Sequence, residues 1–401
     1  MRLSHVLLTV GCLLSAASAD SLNCRLVGHC ATPGRAYGVA VAGSYAYVAD
    51  DTAGLRVIDI SVPQTPHEVG YCASPDHAYG LAVAGGYAYV ADLGFGLRVI
   101  DISDPQNPRE VGNCVTPGRA RCVAVAGNYA CVADDTAGLR VIDVSNPQNP
   151  HEVGHCATPD SAYGVALAGN YVYVADWTGG LRVIDDSDPQ SPHEVGHYSP
   201  AMSWAHGVAV AGSYAYVVAW NSGLQVIDVS NPQNPTQVGL YTTPDFAYGV
   251  ALAGDYAYLA DFNAGLRVVS DSNPQNPQEA GYYNTANYAL GVAVDGDFAY
   301  VTEGDSGLQI VEFYSAGVEE RGMPHAVCYA PIPNIVRGVL FLPASYGLRV
   351  ASYELLDAAG RHVLALRAGA NDVRSLAPGV YFVHSTIANR HSSVVKVIIA
   401  R

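Results

Sequence analysis

A unit of about 42 residues recurs seven times along this chain of 401, and that period limits the fold more than any other feature. Gly38, which opens the run GVAVAGSYAYVADDTAGLRVIDIS, has counterparts at Gly80, Cys122, Gly164, Gly207, Gly249 and Gly291, with one extra residue before Gly207. Each unit contains four short β-type runs. In the first unit, residues 38–42 and 45–50 flank Gly43-Ser44, and other copies carry Gly-Gly, Gly-Asn or Gly-Asp there. Such dipeptides favour two-residue hairpins because glycine accepts a positive φ. A third run, 55–60, follows a short loop, and a fourth, 68–72, follows a Pro-rich link that reads SNPQNP in later copies. The runs are almost continuously apolar, as strands covered on both faces are. The 3.6-residue period of a helical repeat is absent. Four antiparallel strands per unit, each sheet held between its neighbours, predict an all-β, seven-bladed β-propeller.

The ends of the array predict how the ring closes. The seventh unit stops at Phe313 without its fourth strand, while an orphan copy of that strand, Leu26-Val27-Gly28-His29-Cys30, precedes the first unit. Its insertion into the last blade removes the exposed edges of an open array. The propeller is therefore expected to span residues 20–314, followed by a link at 315–330. Tyr outnumbers Phe 27 to 7, and Gly and Pro total 41 and 23, as suits a β protein rich in turns.

Residues 1–19 read as a secretory signal: Arg2, an apolar run from Val6 to Leu14, then Ala17-Ser18-Ala19 ahead of Asp20. A lipoprotein reading through Cys12 is the alternative. No later segment is long and apolar enough to span a bilayer, so none is expected in the mature chain. The net charge is -16, and an acidic surface repels phosphate backbones and anionic lipid, which argues against nucleic-acid and peripheral membrane binding.

The segments GLRVIDIS, GLRVIDVS and GLQVIDVS, each behind YAYVAD or a close variant, resemble the LVIVD repeat of bacterial and archaeal surface proteins over residues 26–313. The resemblance implies the propeller fold and brings no general biochemical activity. Residues 331–401 have another character, with YELLDAAGR, then LAPGVYFV, and a basic terminal strand ending at Arg401. Their turn signals suit a small C-terminal β-sandwich, and they resemble the type A sorting domain of the type IX secretion system. That resemblance implies an address read by the type IX secretion machinery, and a protein released or anchored at the outer-membrane surface after export through the periplasm. A generic Ig-like module is the alternative.

Two chemical motifs mislead. His151-Glu152-Val153-Gly154-His155 and His193-Glu194-Val195-Gly196-His197 spell the zinc-protease pattern, which works on a helix, where residues four apart share a face. On a strand the same four steps span about 13 Å, too far for one metal. Cys30, Cys72, Cys114 and Cys156 share one repeat position on four blades, and Cys122 and Cys131 fall diagonally across one hairpin. Cys24 and Cys328 flank the propeller and are candidates for a pair.

Two other sets point towards a site. A carboxylate ends the second strand of six units: Asp50, Asp92, Asp134, Asp176, Asp261 and Glu303, with Ala219 in the fifth. Gathered near the axis, these groups would hold a divalent cation such as Ca²⁺. The bland reading is a structural pair with the next strand, because Arg56, Arg98, Arg140, Arg182 and Arg267 accompany every Asp, while Gln225 and Gln309 accompany Ala219 and Glu303. The adjacent loops carry Phe95, Trp177, Trp204, His206, Trp220, Phe246 and Phe262, and hold all three tryptophans of the chain. Exposed aromatics suit stacking on a glycan or anchoring a protein, and filling gaps between blades is the alternative. No nucleophile elbow, phosphate loop or dinucleotide fingerprint occurs in a suitable context. The expectation is an exported or surface-displayed binding module rather than an enzyme. A hydrolase or lyase using axial carboxylates and a cation, and a passive surface-layer component, stand as alternatives.

Overall fold

The computed structural model of the chain describes residues 21–199 and 204–314, together with seven strands between residues 335 and 399. The chain divides into two compact units, Met1–Ser315 and Ala316–Arg401. Among the described residues of the first unit, seven blades of four antiparallel strands form a β-propeller. In blade 1 the strands are Gly38–Ala42, Tyr45–Ala49, Leu55–Asp59 and His67–Cys72, within a residue or so of the runs read from sequence. Each innermost strand packs against the next around the ring, and the last, Gly291–Asp295, packs against the first.

Hydrophobic burial explains why the units need one another. Every core cluster joins two neighbouring blades: Tyr47, Val57 and Leu55 of blade 1 close on Ala88, Val90 and Ile100 of blade 2, and the same layer recurs at each junction. A single sheet would leave both apolar faces in water, so the stable object is the closed ring.

Closure follows the expected route. Cys24–Cys30 pairs antiparallel with Leu308–Phe313 and supplies the fourth strand of blade 7. Upstream of it the structure adds something the sequence pattern did not signal. Ser21–Leu22 pairs with Gln278–Tyr283, giving blade 6 a fifth strand. The reason lies in a close approach. Each outer strand carries a glycine, such as Gly70, pressed against the Pro-rich link of the next blade, where a Cβ would stand 2.3 Å from Pro105 O. Blade 7 has no such link, and Leu22 O takes its place over Gly281.

The misleading motifs fall where strand geometry puts them. His151 and His155 lie on one bulged outer strand opposite Asp143 and Arg140, and both are exposed. Cys122 faces Ala133 and Cys131 faces Ala124, the diagonal arrangement expected, and both thiols are free. Cys24 is buried beside Phe313, while Cys328 lies outside the described residues, as does Cys12. In the second unit the described strands form a five-stranded sheet, with Val350–Asp357 between His362–Leu366 and Gly379–Ile387, and a two-stranded sheet of Val339–Leu342 with Gly369–Asp372. Among the described residues no helix is long and apolar enough to cross a membrane.

Candidate functional site

The carboxylates that end the second strands are not gathered at the axis. Each is fully buried inside its own blade, where the lead-in loop and the third strand hold it. Asp50 accepts hydrogen bonds from the Thr32 hydroxyl at 2.6 Å and the Gly34 N–H at 2.8 Å, and Asp134 accepts the same pair from Thr116 and Gly118. Arginine closes the other side, with Arg98 3.4 Å from Asp92 and Arg182 3.4 Å from Asp176. The arginine reaches on to a glutamate of the outer strand: Arg56 to Glu68, Arg98 to Glu110, Arg140 to Glu152, Arg182 to Glu194 and Arg267 to Glu279. Five blades therefore carry an Asp–Arg–Glu clamp across three strands. Blade 5 lacks all three charges, having Ala219, Gln225 and Gln237, and blade 7 has Glu303, Gln309 and Leu26. Burial dominates these groups and raises the carboxyls above their ordinary values despite the hydrogen bonds, Asp261 to about 6 and Glu303 to about 7. Among the described residues no three His, Cys, Asp or Glu side chains converge as a metal set.

The residues beside the carboxylates do converge. The residue following each one, and following Ala219 in blade 5, takes a left-handed backbone: Asp51, Leu93, Asp135, Trp177, Trp220, Phe262 and, in blade 7, Gly304. Its backbone bridges to an alanine that precedes the next blade's innermost strand. Trp177 N–H donates to Ala205 O at 3.1 Å, and Ala205 N–H returns a bond to Trp177 O at 2.9 Å. That alanine is fully buried in every blade and aligns its two neighbours in the chain at one mouth of the axial ring.

A closed circuit of side chains results. Arg35 lies over Tyr37, Tyr37 stacks on Tyr79 at 4.5 Å, and Arg121 covers both Tyr79 and Tyr163. Tyr163 meets His206, His206 meets Tyr248 at 4.6 Å, Tyr248 stacks on Phe262, Phe262 on Tyr288 at 4.2 Å, and Tyr288 returns to Arg35. Against this belt, on blades 4 to 6, sit the remaining large rings: Trp177 parallel to Trp204, Trp220 edge-on to both, and Phe246 stacked on Trp220 at 4.9 Å.

Thus Trp177, Trp204, His206, Trp220, Phe246 and Phe262, singled out from loop divergence, form one contiguous patch. Phe95 does not belong to it. It stands two residues beyond the left-handed position, which Leu93 holds in blade 2, and it is 46% exposed with no ring contact among the described residues. Sequence reasoning missed Tyr37, Tyr79, Arg121, Tyr163 and Tyr248. Their signal was present, since the position before each innermost strand reads Tyr, Tyr, Arg, Tyr, His, Tyr, Leu inside an otherwise constant motif.

The mouth is chemically lopsided. Blades 4 to 7 present mainly aromatic rings, whereas blades 1 to 3 set the Tyr37–Tyr79 pair among charges: Arg121 donates to Asp135 at 2.7 and 2.9 Å, and His77 contacts Asp51 at 2.5 Å. The bond to Asp51 holds the His77 imidazole above its ordinary pKa. Burial pushes His206 down to about 4, so its ring is neutral, with Nδ1 2.8 Å from Tyr248 O. Stacking on a flat or apolar ligand face, flanked by polar contacts, is what such a surface can do.

A family model described as the LVIVD repeat matches residues 33–74, 75–116, 117–158, 160–199, 204–243, 246–285 and 286–313. No protein of curated function matches the sequence. Among solved structures, the WD40 β-propeller domain of Doa1 is similar at 11% identity with a TM-score of 0.58, covering 72% of this chain and 94% of that one. The β-propeller domain of Cps50 (Swd1) from Myceliophteria thermophila has the same identity and TM-score, over 73% of this chain and 100% of that one. The computationally designed Ika8 protein gives 10% identity and a TM-score of 0.53 over 72% and 100%. At such identities the likeness is one of fold.

Proposed function

The chain belongs to the LVIVD-repeat family, and from that premise we propose that it is an exported, surface-displayed binding module whose aromatic mouth on blades 4 to 6 takes a glycan. One observation carries the reading. The left-handed turn suits glycine, and blade 7 uses Gly304 there, yet blades 4 to 6 place Trp177, Trp220 and Phe262 at φ of 40°, 29° and 37°. A bulky residue in that region costs about 1–2 kcal/mol. Blades 1 to 3 hold the same turn with Asp51, Leu93 and Asp135, so the turn belongs to the repeat; what sets blades 4 to 6 apart is that it carries rings that stack into one patch, as a ligand surface would. A protein ligand anchored on the same rings is the other occupant of this reading.

Delivery rests on the sequence. Residues 1–19 act as the export signal, and residues 331–401 as the address for type IX secretion. Deleting 331–401 in the native host is expected to leave the propeller in the periplasm, as cell fractionation would register.

The binding reading is tested by calorimetric titration of the purified chain with a soluble glycan panel and, separately, with Ca²⁺. Glycan binding lost in Trp177→Ala and Trp220→Ala, without a Ca²⁺ response, is the expected result. Micromolar Ca²⁺ binding removed by Asp176→Asn and Asp261→Asn would instead support the cation-dependent hydrolase or lyase. Silence towards both would favour a protein partner or a passive surface role.

A further inference from the structure

Buried hydrogen-bond donors without an acceptor are costly and uncommon, so each one calls for an account. Among the described residues, most buried side-chain polar atoms lacking a hydrogen bond belong to the blade clamps, where an opposite charge or the Glu303–Gln309 pair answers them. Outside the clamps, the unanswered donors are Arg35 Nε and Trp220 Nε1. Both stand in the aromatic mouth. Neither group has any capacity to accept, so whatever satisfies them must present acceptor oxygens.

The two donors differ in what they favour. Arg35 carries a full positive charge, lies over the rings of Tyr37 and Tyr288, and has no ion pair among the described residues. Arg121, the other arginine of the belt, is already committed to Asp135. Arg35, which also hydrogen-bonds Tyr37, is thus the belt's guanidinium without a carboxylate partner, and one carboxylate placed on it is matched locally even though the chain as a whole is acidic. Tyr288, at its side, is 38% exposed, and because its faces lie against Phe262 and Arg35, it offers a sugar its open edge and hydroxyl. Trp220 lies beyond Phe262 and Phe246 along the same strip of rings. A single sugar cannot engage both ends of that strip, but an oligosaccharide can.

We propose that the aromatic mouth binds an acidic oligosaccharide, with a uronate carboxylate on Arg35, a sugar packed against the exposed edge of Tyr288, and a hydroxyl or ring oxygen accepting from Trp220 Nε1. This rests on the glycan reading above and specifies its ligand class.

The test compares hexagalacturonate with its methyl ester by calorimetry on the full-length chain. The two probes share shape and stacking faces and differ in the carboxylate. A charge-assisted hydrogen bond predicts binding of the acid ~10-fold or more tighter than the ester, weakening with added salt. Arg35→Gln should erase that preference, and Arg35→Lys should retain part of it. Trp220→Phe should weaken both probes together and leave the preference intact. Equal affinity for acid and ester, or a preference unchanged in Arg35→Gln, would overturn the acidic-ligand inference while leaving the glycan reading standing. Failure of both probes and of every glycan in the panel would overturn both. Binding of a poly-glutamate peptide in place of either sugar would reassign the site to an acidic protein segment. Should Arg35→Gln fail to melt cooperatively, the acid-to-ester ratio of the unaltered chain and its salt dependence decide the matter.

Discussion

Leu93 shows how a single position can record what a turn demands. Its φ is 21°, on the edge of the left-handed region, and its neighbours around the ring meet the same demand with Asp, Trp, Phe or Gly. Asparagine tolerates that conformation and β-branched residues do not. Leu93→Asn is therefore expected to stabilise the fold by up to ~1 kcal/mol, whereas Leu93→Val should cost roughly 1–2 kcal/mol in chemical denaturation. Glu303 offers a second test at this scale. Burial raises its carboxyl from 4.5 to about 7, outweighing hydrogen bonds from groups that include the Gln309 amide. The folded state therefore holds the proton more tightly than the unfolded chain, and its stability falls as pH rises from 4.5 through about 7. Glu303→Gln should be close to neutral near pH 4.5 and stabilising by roughly 2–3 kcal/mol at pH 8. Denaturation curves at the two pH values would show that sign, and a variant equally stable relative to the parent at both would refute it.

The blade is the element that the charges organise. Removing Arg140 alone would strand the buried Asp134 beside the outer-strand Glu152, so Arg140→Gln should cost about 3–5 kcal/mol. Blade 5 indicates the remedy, because Asp, Arg and Glu are all replaced there by uncharged residues. The triple change Asp134→Ala, Arg140→Gln, Glu152→Gln should recover most of that loss, measurable as a non-additive cycle. Half of this device was legible beforehand. Asp and Arg covary plainly because they stand six residues apart in each copy, whereas the outer-strand glutamate is hidden inside HEVG, a run that invites comparison with metal motifs. The left-handed residues and the tyrosine belt were harder to see for a different reason. Ring contacts join residues from separate blades, and nothing in a 42-residue period says which side chains from different copies meet.

At the scale of the whole molecule, the period, the hairpin dipeptides and the orphan strand determined the ring, because each is local or repeated. The two-residue strand Ser21–Leu22 escaped notice, being too short to carry a pattern of its own. Deleting residues 21–30 removes both N-terminal pairings at once and exposes the edge of Leu308–Phe313. The expected result is a melting temperature lower by roughly 10 °C or more, with concentration-dependent scattering from the open edge. An unchanged single transition would mean that the ring closes without its seam. That seam also has a history in time. Arg25 and the Glu312 it pairs with are 287 residues apart in the chain, so the strand Cys24–Cys30 cannot be seated until the last strand of the propeller has been made. At usual rates of synthesis the wait is roughly 15–60 s. Through that interval an apolar strand and the unfinished wheel it belongs to must be kept from other partners, which makes a holding chaperone during biogenesis a natural need of this closure.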